Sequence, residues 1–143
     1  RHGIVMACSI GVAYAILAFV FRPAILAGYT TNAAVIAAAM PLLPIMLVYH
    51  IFDTFQTVTA FVLRAYKVAV VPTVIYALAL WGVGLGGGYA LGFDVGGAIP
   101  SWLTGARGFW AASAASLAIA GTGLFTHLRA ISTRRIREAP AAS

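Results

Sequence analysis

The sequence predicts an all-α integral membrane protein with four transmembrane helices. Of 143 residues, 62% are hydrophobic and 8% are charged, whereas a soluble domain usually carries about 25% charged residues. Apolar runs recur at the length of a bilayer crossing, roughly 20 residues. The charges fall between these runs and do not form a face.

Nine Lys/Arg against three Asp/Glu give a net charge of +6. On a soluble domain that balance would suggest nucleic acid. Here the basic residues stand at Arg1, Arg22, Arg64 with Lys67, Arg107, and from Arg129 onward. This is the placement of charges flanking membrane spans, so the expected partner is the lipid bilayer and no nucleic acid. The single cysteine, Cys8, cannot form an internal disulfide, and no soluble segment follows the first apolar run to make it a signal peptide. The chain opens on Arg1, not Met, and enters an apolar segment almost at once, so it reads as a fragment.

Four spans are predicted in order. The first covers about 4–21 and is closed by Arg22-Pro23. The second, about 33–63, is long and contains Pro41 and Pro44, which predict a bend or an interfacial start. The third covers about 70–93 and the fourth about 109–128. Residues 22–32 and 64–69 are short connections, and 94–108 is rich in Gly and Pro. Residues 1–131 make up the helical part, and 132–143 form a basic tail with a frayed polar end. The basic residues set the orientation. With both ends cytoplasmic, all basic residues except Arg22 and Arg107 lie inside.

In lipid, burying apolar surface does not drive helices together, so close packing of small residues matters. Gly84, Gly88 and Gly92 recur at spacing four, as do Ala112, Ser116 and Ala120. Both read as tight helix–helix faces inside a larger bundle.

Asp53 is the acidic residue placed within a predicted span. An intramembrane carboxylate is rare unless it faces protein or a polar cavity. Helical spacing puts Tyr49, Asp53, Gln56, Thr57 and Ala60 on one stripe. One reading makes Asp53 a ligand for a cation such as Na+ or for a proton; the other pairs it with an arginine or a neighbouring helix. His50 points to a different side and reads as a packing residue, and His127 reads as interfacial. Trp81 falls mid-span, where it either packs or lines a cavity for aromatic or cationic ligands. Trp102 and Trp110 fall where an aromatic belt would lie. No metal-ligand spacing, nucleophile–base pattern or phosphate loop is present in the sequence, so neither an enzyme nor a cofactor is expected.

The segment from Tyr49 to Lys67, with Asp53, Gln56, Leu63, Arg64 and Tyr66, resembles the tenth helix of NorM-type multidrug and toxic-compound extrusion (MATE) transporters, with its D-x-x-Q-x-x-x-x-x-x-L-R-G-Y pattern. Trp81, Gly84, Leu85, Gly88 and Tyr89 are similar to the W-x-x-G-L-P-x-G-Y segment of the eleventh helix. Gly105, Gly108, Phe109 and Trp110 are similar to the G-x-x-G-F-W start of the twelfth. Ala65 departs from the pattern where the family has glycine, and Gly86 where it often has proline.

The resemblance implies helices nine to twelve, the C-terminal part of the C-terminal bundle of a twelve-helix, two-bundle transporter in the bacterial inner membrane. Such a transporter would export cationic or amphipathic small molecules in exchange for Na+ or H+, and would need the missing N-terminal helices as partners. It places Asp53 and Tyr49 in the cation site, with Gln56, Thr57 and Trp81 as cavity lining. The rival reading is a non-transporting membrane assembly or scaffold subunit of four helices; Asp53 and the order of the motifs count against it.

Overall fold

The computed structural model describes residues 2–138. All regular elements among them are helical: α1 (His2–Val20), α2 (Arg22–Tyr29), α3 (Ala33–Ala39), α4 (Leu43–Ala65), α5 (Val70–Leu78), a π-helical segment (Ala79–Gly86), α6 (Gly87–Gly92), a 3-10 turn (Ser101–Leu103) and α7 (Ala106–Glu138). Four stretches are long and apolar enough to cross a membrane: α1, α4, the run Val70–Gly92, and α7 through Arg135. The fold is therefore that of an all-α, multi-pass membrane protein.

Several boundaries differ from the sequence expectation. The expected span 33–63 is divided into α3 and α4. Pro41 has no N–H to give and its ring clashes with the preceding turn, so α3 stops at Ala39. Pro44 is harmless because it occupies the first turn of α4, where an N–H has no partner anyway. Part of the connection 22–32 is itself a helix, α2, with Pro23 in its first turn. Asn32 then caps α3, its side-chain oxygen accepting from the N–H of Ala34 at 3.0 Å and of Val35 at 3.4 Å. The last helix runs on into the basic tail. With no Gly or Pro between Gly123 and Pro140, α7 continues to Glu138. Residues 139–143 of the tail lie outside the described residues.

α7 is the hub. Within its apolar stretch 44% of the residues are buried, against 17% for each of the other three spans. It packs on α4, on the π-helical segment and on α6, while α1 packs mainly on α4. Leu63, Leu117, Leu124, Thr59 and Ser116 are fully buried, and Ile4 of α1 joins the Leu63–Leu124–Leu128 cluster. The buried hydroxyls are satisfied within their own helices, Thr59 donating to the carbonyl of Phe55 at 2.7 Å and Ser116 to that of Ser113 at 2.7 Å. This back-bonding removes the cost of an unpaired polar group away from water. His127, expected at the interface, has a buried Nε2 without a hydrogen-bond partner among the described residues.

Both small-residue stripes pack between helices, though they meet each other only at Gly84 and Ser116. A Cβ on Gly84 would come within 3.0 Å of the Ser116 hydroxyl, one on Gly87 within 3.6 Å of Ala112, and ones on Gly88 and Gly92 would strike the Phe109 ring. Both hairpin ends of α4 and α6 use the same cap. The N–H of Val68 donates to Leu63 and that of Lys67 to Arg64, which is a Schellman arrangement with Lys67 in the left-handed position, φ 61°. Asp94, φ 50°, does the same after α6, with Val95 donating to Ala90. An L side chain is unfavourable there, so Lys67→Gly should raise stability by about 0.5–1 kcal/mol. Thermal unfolding in detergent reads this directly, and a lowered midpoint would mean that the lysine side chain holds the turn.

Candidate functional site

α4 positions the candidate residues. Its first turn is fixed by Pro44 and its last by the Lys67 cap, so the polar stripe falls mid-helix. Asp53 is half-buried. It makes no hydrogen bond and no ion pair among the described residues, unlike the serine and threonine hydroxyls that bond within their own helices. Tyr49, one turn earlier, is also half-buried; its ring stands perpendicular to that of Trp110 of α7, centroids 5.4 Å apart and planes at 89°. Tyr49 lies within electrostatic reach of both Asp53 and Tyr76 of α5. The fold therefore brings the Asp53 carboxylate and the Tyr76 phenol within electrostatic range of Tyr49.

The rest of the predicted stripe divides. Gln56 is buried, 7% exposed, and its Cβ faces Gly121 of α7. Its side-chain oxygen accepts from the Thr57 hydroxyl at 3.2 Å. Gln56 thus belongs to the α4–α7 contact within these four helices. Thr57 stays half-buried next to Asp53's turn. Trp81 is not brought to this group: it lies in the π-helical segment, 69% exposed, so it neither packs inside these four helices nor lines the cavity beside α4.

That cavity, about 930 Å³, lies between α1, α2 and α4 and reaches Trp110. Leu43, Met46, Leu47, Tyr49, His50 and Thr54 form its α4 wall, with Tyr14 and Tyr29 opposite. Asp53 is not on this wall. His50 packs against the Tyr14 ring at 5.1 Å, and Thr54 donates to its carbonyl at 2.9 Å, in keeping with a packing role. α1 approaches closely here because Gly11 sits against Thr54, where a Cβ would come to 3.1 Å.

Two contributors were not legible in the sequence. Tyr76 lies 23 residues beyond Asp53 in another helix, with no spacing that links them. Trp110, expected in an aromatic belt, instead braces Tyr49. Chemically, the group offers carboxylate and phenol oxygens, donors suited to a hard cation or a proton. Among the described residues no cluster of three or more His, Cys, Asp or Glu exists.

Comparison with known proteins identifies the family. The chain is 38% identical over 120 residues to "Probable multidrug resistance protein NorM" of Aromatoleum aromaticum, covering 84% of this chain and 25% of that protein. It is 34% identical over 123 residues to the protein of the same name from Chromobacterium violaceum, covering 84% of the chain and 25% of the relative. It is 33% identical over 141 residues to "Multidrug resistance protein PmpM" of Pseudomonas aeruginosa, covering 95% and 28%. The chain thus spans about a quarter of the length of these curated relatives. The MatE family matches residues 1–90, from α1 through the π-helical segment and into α6. With Asp53 and Tyr49 inside the matched region, the chain belongs to the MatE family.

Proposed function

We propose that these residues form helices nine to twelve of a twelve-helix multidrug antiporter of the bacterial inner membrane, which exports cationic or amphipathic compounds in exchange for Na+ or H+. Asp53 is the cation or proton ligand, Tyr49 supports it, and Thr57 adds a nearby hydroxyl. The observation that carries this reading is a half-buried carboxylate in an apolar span with no partner among the described residues. A charge in that position is costly unless a positive species meets it during the working cycle. The relatives' names, which speak of multidrug resistance, support the transport class.

In this reading the carboxylate alternates between two states, one holding the coupling ion and one free, and the change of charge biases two arrangements of the helices. The Tyr49 hydroxyl, one turn away and without a hydrogen bond to Asp53 in the structure, would turn its oxygen to the ion when one is bound. Trp110 stands perpendicular to the Tyr49 ring, which limits how far the hydroxyl can wander. Rocking of two bundles about a central cavity would provide alternating access.

The test is transport by the complete natural protein in proteoliposomes. Efflux of a cationic dye should follow an imposed Na+ or H+ gradient, and dye movement indifferent to both gradients would overturn the proposal. Orientation is tested separately. With both ends cytoplasmic, a membrane-impermeant maleimide added outside intact cells should label Ala98→Cys and spare Ser132→Cys. The reverse pattern would invert the topology.

A further inference from the structure

Three recesses in the surface meet at one side chain. The first is a groove of about 810 Å³ along α1, with Ile4, Cys8, Val12 and Ile16 on one wall, Phe55 of α4 and Phe125 of α7 opposite, and Arg129 at an end. Ile4 packs with Leu128, so the Ile4 end of the groove is the Arg129 end. Arg129 also lines a recess of about 460 Å³ with Thr133, Arg134 and Arg137. It lines a third, of about 570 Å³, with Ser132 and Tyr66. Among the residues whose side chains are described, no carboxylate lines any of the three.

The chemistry changes sharply along this path. The groove is lined mostly by apolar side chains, Ser9 being the polar one along α1, and its end opens onto Arg129 and Arg137 on the last turns of α7. The rise from Ile4 to Ile16 is about 18 Å at helical pitch, close to the ~15 Å depth of one leaflet of the hydrocarbon core. Guanidinium groups suit phosphate oxygens because their forked N–H donors match them two at a time. We propose that the groove and its arginine end bind one anionic glycerophospholipid, with an acyl chain along α1 and the phosphate among Arg129, Thr133 and Arg137. The leaflet is the one that faces the C-terminal end of α7, whichever side of the membrane that is. This assignment is independent of the role given to Asp53. It uses the basic run from Arg129 for something more specific than orientation.

The test uses the complete natural protein, equilibrated in nanodiscs of equal phosphatidylglycerol and phosphatidylcholine, transferred to mild detergent and examined by native mass spectrometry. Wild type should retain phosphatidylglycerol in preference to phosphatidylcholine. Arg129→Gln combined with Arg137→Gln should lower that retention about tenfold or more, since each basic residue near an anionic headgroup matters by about 1 kcal/mol. Ala13→Trp, which fills the groove, should remove retained lipid of both classes while the protein still elutes as wild type. Equal retention of the two lipids by wild type, or undiminished phosphatidylglycerol in the double variant or in Ala13→Trp, would overturn the proposal. So would an absence of retained lipid with Cys8 shielded from a lipid-soluble maleimide, because another helix of the protein would then occupy the groove.

Discussion

Asp53→Asn is expected to reduce gradient-driven efflux by about 100-fold or more, the scale of losing one charged partner from a desolvated pair. The amide keeps the shape of the carboxylate and removes its charge. It is also cheaper to hold within the membrane, so expression, insertion and thermal stability should match or exceed wild type. That combination separates a working carboxylate from a structural one: a structural Asp53 would lower stability when replaced and leave the coupled rate per folded protein unchanged. Dye binding should survive if the exported compound sits elsewhere in the cavity. Tyr49→Phe removes one hydroxyl and no charge, so its loss should be several-fold, the value of about one hydrogen bond. Tyr76→Phe should behave similarly if its phenol shares the site. Coupled efflux at wild-type rates in Asp53→Asn, at matched protein levels, would assign the carboxylate to structure alone.

Gly108→Ala should be the most damaging single methyl group in the structure, costing about 3 kcal/mol, the upper range for overpacking. Its Cβ would come to 2.6 Å from the carbonyl oxygen of Leu103 and 3.0 Å from the backbone nitrogen of Gly92, with the Leu91 Cβ at 2.9 Å. Two of these three obstacles are backbone and cannot rotate away. The clash would also disturb the bond from the Gly105 N–H to the Gly92 carbonyl, 2.9 Å, which closes the loop between α6 and α7. Gly82→Ala is the matched comparison, because nothing lies within 4 Å of its Cβ among the described residues. There, alanine should gain up to about 1 kcal/mol from helix propensity. Thermal unfolding of the two variants in the same detergent decides the matter, and a Gly108→Ala midpoint equal to that of Gly82→Ala would show that the α6–α7 junction is looser than drawn.

The spans were legible because hydropathy over a bilayer's length is a strong signal. Asp53 was legible because a carboxylate in such a run is an exception. Gly84, Gly88 and Gly92 were legible as a packing face because small residues at helical spacing have one main use in lipid. What escaped was set by geometry. α2 hid inside a connection that had to be counted as loop, since eight residues are too few to show a period. Pro41 announced a disturbance without saying whether the chain would bend or break. Trp110 meets Tyr49, and Tyr76 comes within its electrostatic range, only through packing between helices, which spacing within one helix does not encode. Gln56 was assigned to a cavity because the stripe it shares is polar, yet its neighbour turned out to be Gly121 of α7. The π-helical segment left no trace at all, because a hydrogen bond to the fifth residue back needs no particular side chain.

That segment bears on how the family's sequences should be aligned. A π turn accommodates an extra residue without lengthening the path between the helical segments on either side. A homologue lacking one residue between Ala79 and Gly86 could therefore run as plain α-helix and still present the same two faces. Deleting a residue from this chain just outside that segment, within α6, has a different effect. It turns everything beyond by about 100°, carrying Gly92 away from the Phe109 ring it accommodates. Gaps in this region of the family should therefore cluster within 79–86 and be scarce in 87–92, a distribution that any sufficiently deep collection of homologues would display.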